Sequence, residues 1–186
     1  MPDPFRTPLV MVAGSTDERF EPEVPRYRDL LVDALKGFAG TLIAGGTEQG
    51  VAGIVGAVAA RNPAVRAIGY VPAVLTGGAT EDPRYTEIRR TRGTRFTAAE
   101  PLQAWADVLA AGIEPGAVAV LGIGGGDIAA QEYRVSLALG ARVGVVAGSG
   151  GAADALTTDR RWRHVIETVP ENSSAIAAFL RGSATG

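Results

Sequence analysis

The stretch "AVLGIGGGDIAAQEY", residues 119–133, decides how the chain is read. An apolar run of strand type enters three consecutive glycines, Gly124, Gly125 and Gly126, and a helix-like segment leaves them. Glycine weakens regular structure, so such a run marks a place where the backbone takes φ > 0 or lets something approach closely. The same alternation recurs on either side. Strands are expected at 8–15, 41–46, 66–72, 117–123, 142–148 and 164–169, and helices at 23–38, 50–62, 101–112, 127–140, 151–157 and 173–180. Over 23–38 the apolar residues Val24, Tyr27, Leu31, Leu35 and Phe38 recur at three- and four-residue spacings, as on an amphipathic helix. Near-continuous apolar strands alternating with helices indicate an α/β fold, a mainly parallel sheet with helices on both faces in three layers.

The chain has 186 residues and reads as one domain over 1–186, with an ordered core at about 8–180 and a disordered tail at about 181–186. Residues 73–93 are a long irregular stretch, and long loops of this kind are often functional. A net charge of −2 supplies no field toward nucleic acid or a membrane, and neither is expected as a partner. No apolar run is long enough to span a bilayer, and the N-terminus lacks a signal-peptide pattern, so a cytoplasmic location is expected. There is no cysteine, one histidine (His164) and one lysine (Lys36). Disulfides are thereby excluded, as is a phosphate loop of the G-x-x-x-x-G-K-[ST] kind, and no metal or cofactor is expected.

Four strand ends carry glycine-rich turns: "AGST" (13–16), "AGGTEQG" (44–50), "GIGGGD" (122–127) and "AGSGG" (147–151). In a parallel sheet all four fall on one edge. Helix N-termini there would offer unpaired N–H groups to a phosphate-bearing ligand. The candidate ligand-binding residues are Gly14, Ser15, Arg19, Gly45, Gly46, Thr47, Gly50, Gly124, Gly125, Gly126, Gly148, Ser149 and Gly150. Arg84 and Arg89 are added from the arginine-rich segment 84–95, expected to close over the ligand. Glu132 lies in the second turn of the helix after the triple glycine, placed for ribose hydroxyls or for general-base work.

Two enzyme patterns fail. Gly124, Gly126 and Ala129 fit a dinucleotide fingerprint, but the next strand ends without the acidic residue for ribose. Ser149 resembles a nucleophile elbow with Asp154 or Asp159 and His164, but serine and histidine are only fifteen residues apart. Trp105 and Trp162 read as core or surface-cover aromatics.

The ordered segments "GGTEQGVAGIVGAVA" (45–59), "AIGYVP" (67–72) and "VVAGSGGAADAL" (145–156) resemble the SLOG superfamily, especially its branch in melastatin-type TRP channels. The segment "GGGDIAAQE" (124–132) is similar to the P-G-G-x-G-T-x-x-E motif of the related LOG family, with Gly125, Gly126 and Glu132 in register. The resemblance covers about residues 8–180 and implies a Rossmann-like fold whose glycine edge binds nucleotide-derived ligands. Some members sense ADP-ribose or its cyclic forms. LOG members cleave cytokinin riboside monophosphates with an arginine and the motif glutamate. Here the segment before the glycines has no arginine, and Asp127, Ile128 and Ala129 replace the core of the motif. Position 151 is glycine where the channel motif has arginine. The resemblance therefore implies a sensor that binds ADP-ribose, cyclic ADP-ribose or a related NAD metabolite without consuming it, and a homo-oligomer. A LOG-like phosphoribohydrolase using Glu132 as catalytic residue is the alternative, and a non-catalytic scaffold or carrier is the other.

Overall fold

The computed structural model describes residues 5–182. Its strands are β1 (Leu9–Gly14), β2 (Thr41–Ala44), β3 (Arg66–Val71), β4 (Glu87–Arg90), β5 (Val118–Ile123), β6 (Arg142–Val146) and β7 (Glu167–Val169). Its helices are α1 (Val24–Ala34), α2 (Gly50–Arg61), α3 (Ala99–Ala110), α4 (Asp127–Leu139), α5 (Gly151–Thr158) and α6 (Ser173–Arg181). The strands form one sheet in the order β4-β3-β2-β1-β5-β6-β7, and every pairing is parallel. The chain steps outward from β1 to β4, then returns to the far side of β1 for β5 to β7. The order thus reverses between β1 and β5, the place where an open α/β sheet leaves a crevice at its carboxyl edge.

Both faces of the sheet are buried, as the apolar strands require. Along β5, Val118 and Val120 join one core, while Ala119, Leu121 and Ile123 join the other. The second of these cores is closed by Tyr27 and Leu31 of α1, Ile54 and Val55 of α2, and Ile176 and Phe179 of α6. The first is closed by Trp105 and Val108 of α3, Tyr133 of α4 and Leu156 of α5. Trp105 is a core residue, its indole N–H donating to Ser136 Oγ at 3.1 Å. A Rossmann-like, three-layer fold is therefore present, with a sheet that is wholly parallel.

Three local expectations are corrected. The irregular stretch 73–93 contains β4, which pairs with β3. The last strand begins at Glu167, because residues 164–166 belong to the preceding turn. Helix α1 ends at Ala34, and Leu35 and Phe38 pack beyond it. Residues 183–186 of the expected tail lie outside the described residues. No helix among the described residues is long and apolar enough to cross a membrane.

Leu121 is fully buried on the strand beside β1. Leu121→Ala is expected to cost about 2–5 kcal/mol in a denaturant melt, as for other buried leucines.

Candidate functional site

At the carboxyl edge of the sheet the strand-end turns surround one open cavity of about 1130 Å³. That volume suits a ligand of nucleotide size or larger. Of the residues singled out from the sequence, Gly14, Ser15, Arg19, Gly45, Thr47, Gly124, Gly125, Gly126, Glu132 and Ser149 line it. Gly46, Gly50, Gly148, Gly150, Arg84 and Arg89 do not.

The two arginines are spent elsewhere. Arg84 donates from Nε and Nη2 to Asp82 (2.8 and 2.6 Å) and from Nη2 to the Gly53 carbonyl (3.1 Å). Asp82 is 1% exposed, so it needs that cation. Arg89, on β4, donates to Glu87 (2.6 Å), to the Tyr70 hydroxyl (2.9 Å) and to Asp107 of α3 (2.9 Å). These arginines brace the β3–β4 side of the sheet and do not close over the cavity. From the long stretch it is Thr76, Gly77, Gly78 and Ala79 that reach the cavity wall.

Three of the helix N-termini at this edge, those of α2, α4 and α5, differ. At α2, the Gly50 N–H donates to the Glu21 carboxylate (2.8 Å) and the Val51 N–H to the Ser15 carbonyl (2.9 Å). At α5, the Ala152 and Ala153 N–H groups donate to the carbonyls of Gly125 (2.8 Å) and Gly124 (3.0 Å). At each of these ends two N–H groups of the first turn are taken up by the protein itself. At α4, Gly126 is the N-cap and supplies no side-chain bond, and the first helical bond runs from Ala130 N–H to the Gly126 carbonyl. Among the described residues no acceptor meets the N–H groups of Asp127, Ile128 and Ala129, all of which line the cavity. An anion can be taken there.

The triple glycine is shaped as much by this packing as by space for a ligand. Gly125 has φ +106°, and a Cβ on it would lie 2.4 Å from Ala129 Cβ. Ser149 Oγ accepts from the Gly124 N–H (2.9 Å) and donates to the Val146 carbonyl (2.7 Å), a bracing role within the loop. His164 is exposed on the turn before β7, at the opposite end of the strands from Ser149. Ser149 and His164 therefore do not pair.

One turn beyond the open N-terminus, Glu132 lines the cavity half-buried, and no side chain among the described residues bonds its carboxyl. Burial pushes that carboxyl up to about 7. At the mouth, Arg19 is 91% exposed and bonds Asp17, which holds the aspartate down at about 2. Glu18, Glu100 and Asp127 also line the cavity, and Glu100 accepts from Thr91 Oγ1 (2.5 Å) and Thr97 N–H (2.8 Å). Two aromatic walls were not foreseen from the sequence. Phe20, stacked on Tyr27 at 5.6 Å, and Phe96, in the loop before α3, both line the cavity. Lone aromatics in irregular segments carry no periodic signal. Among the described residues no group of three or more His, Asp or Glu side chains is placed to hold a metal ion.

Comparison with known proteins gives a family and a set of folds. The family model described as "SLOG in TRPM, prokaryote" matches residues 7–181. The molybdenum cofactor carrier protein of Chlamydomonas reinhardtii has the same fold at 16% identity, TM-score 0.66, with 96% of this chain and 98% of that one covered. The molybdenum cofactor binding protein of the phototrophic bacterium Rippkaea orientalis does so at 15% identity, TM-score 0.67, with 97% and 99% covered. At such identities the likeness shows the fold alone. No curated protein matches the sequence.

Two outcomes follow from the site's charges. The folded state holds the Glu132 proton more tightly than the unfolded chain, so its contribution to stability falls as pH rises from about 4.5 through about 7. The unfolding free energy of Glu132→Gln is expected to gain on the wild type across that window and hold its lead above it. Melts at a series of pH values measure this, and a flat difference would mean a solvated carboxyl. Arg89→Ala strips Glu87 and Asp107 of their shared cation and is expected to cost about 1–3 kcal/mol of stability, with ligand affinity unchanged in a parallel titration.

Proposed function

We propose, for a chain that belongs to the prokaryotic SLOG-in-TRPM family, that the cavity binds a phosphate-bearing, nucleotide-like small molecule and releases it unchanged. The observation that carries this reading is the open N-terminus of α4, whose first three N–H groups all stand unsatisfied at the cavity wall, whereas α2 and α5 each have two bonded to the protein's own groups. A phosphate at Asp127–Ala129 would receive charge-assisted N–H bonds there. Glu132 would accept from a ribose hydroxyl or ring N–H of the same ligand. Phe20 and Phe96 offer apolar walls to a flat heterocycle.

The names of the proteins that share the fold favour carriage over signalling, since they are described as a carrier and a binding protein for a cofactor. ADP-ribose and its cyclic forms stay in this proposal as ligands to be tried, on the strength of the family resemblance. Self-association, expected on the same ground, is read by light scattering.

A hydrolase is the second reading, and the Glu132 carboxyl favours it: an acid raised to about 7 is matched to proton transfer near neutral pH. Nucleoside monophosphate incubated with the protein would then yield free base and ribose phosphate, and Glu132→Gln would abolish turnover. A carrier returns the ligand intact, and the same substitution only weakens binding.

The test uses calorimetric titration with ADP-ribose and with AMP, followed by chromatography of the recovered ligand. Saturable binding is expected, with stabilisation of about 2.7 kcal/mol at a hundredfold excess over Kd. Gly126 has extended backbone (φ −102°, ψ −150°), and a Cβ there meets nothing within 4 Å. Gly126→Asp can therefore cap α4 with its own carboxylate. It is expected to add about 0.5–1 kcal/mol of stability and to weaken anion binding by about tenfold or more. Unchanged affinity in this variant would move the phosphate away from α4.

A further inference from the structure

The segment between α5 and β7 plays no part in the cavity. It reads Asp159-Arg160-Arg161-Trp162-Arg163-His164-Val165-Ile166. Its backbone is fixed from within. The Asp159 carboxylate accepts from the Arg161 N–H (2.9 Å), and its carbonyl accepts from those of Trp162 (3.1 Å) and Arg163 (2.8 Å). Trp162 and Ile166 anchor the turn by packing against the core under α3, α4 and α5. Arg160, Arg161, Arg163 and His164 are left exposed, with Val165 beside them at 54% exposure. Arg161 lies over the Trp162 ring, 4.9 Å from its centroid. Arg134 of α4 joins the patch 3.9 Å from Asp159. The side chains of Arg160 and Arg163 meet no acid among the described residues.

We propose that this turn is a docking surface for an acidic segment of a partner protein. A chain with eighteen basic and twenty acidic residues gathers four of its arginines here and leaves Arg160 and Arg163 without a counter-charge among the described residues. Guanidinium groups fork onto carboxylates in pairs, and Arg and Trp are the side chains that dominate protein–protein hot spots. Because the turn is already ordered, a partner meets it without a further ordering cost. Nucleic acid is the weaker match: one turn reaches few phosphates, and the rest of the chain repels them. A membrane is weaker still, since these side chains lie on a turn and form no amphipathic helix. The turn precedes β7 and so lies at the amino ends of the strands, whereas the cavity lies beyond their carboxyl ends. A partner docked here leaves the cavity open, and this inference stands whether or not the proposed ligand is right.

Fluorescence anisotropy of a labelled oligoglutamate peptide, titrated with the full chain, tests the surface. Saturable binding is expected, weakened by about tenfold or more in the double variant Arg160→Glu, Arg163→Glu and by raised salt. Arg61→Glu, which reverses an exposed arginine at the end of α2, is expected to leave it unchanged. Thermal melts confirm that the variants are folded. Equal binding by wild type and double variant, an equal loss in Arg61→Glu, or tighter binding to phosphatidylserine vesicles or oligothymidylate than to the peptide would each overturn the proposal.

Discussion

The turn after β5 and the first turn of α5 are hydrogen-bonded to one another, and the geometry of the cavity follows from that junction. Carbonyls of Gly124 and Gly125 point at the N–H groups of Ala153 and Ala152, and the Tyr133 hydroxyl donates to Gly124 from the other side at 3.0 Å. A carbonyl turned toward a helix start leaves the peptide's opposite edge facing the crevice. A side chain at Gly125 would collide with Ala129, and one at Gly151 would lie 2.4 Å from the Gly125 carbonyl. Gly125 and Gly151 are thus required by close packing at this junction, and the start of α4 leaves the loop directly beyond it.

The lining carboxylates set a limit on how an anion can be held. Asp17, Glu18, Glu100, Asp127 and Glu132 stand around the cavity, with Arg19 the one basic side chain among its described lining residues. Side-chain charge therefore opposes a phosphate, and its attraction has to come from backbone N–H groups. Hydrogen bonds to a charged acceptor contribute about 1.5–3 kcal/mol each, against about 0.3–1 kcal/mol for an exposed charge near a helix end. Directed bonds outweigh the diffuse terms. Burial, by keeping Glu132 protonated up to about 7, also reduces the repulsion it adds.

Much of the fold was legible because burial on both faces writes a long apolar signal into each strand. β4 carried none: "EIRR" has one apolar residue, and its Arg89 is accommodated by Asp107 from a helix eighteen positions later. Asp82 and Glu87 stand two residues before Arg84 and Arg89 and were visible beside them, but that they take up those guanidinium groups, with Asp107 eighteen positions later, shows only in the folded chain. At the site, the glycine turns and Glu132 could be placed from strand-to-helix spacing alone. That α2 is closed by Glu21, 29 residues upstream, could not, because a contact between an exposed loop carboxylate and a helix start leaves no pattern in either segment.

The internal bonds at the starts of α2 and α5 also bear on how a ligand of the proposed kind would leave. Where several helix starts depend on a ligand for their hydrogen bonds, its departure strips each of them, and the edge must loosen or reorganise. Here the bonded N–H groups of α2 and α5 have their acceptors within the protein. Departure of such a ligand would uncover only the N–H groups at the head of α4, which solvent can satisfy. On the proposed reading, a ligand at the head of α4 would come and go without disturbing the bonds that hold the starts of α2 and α5.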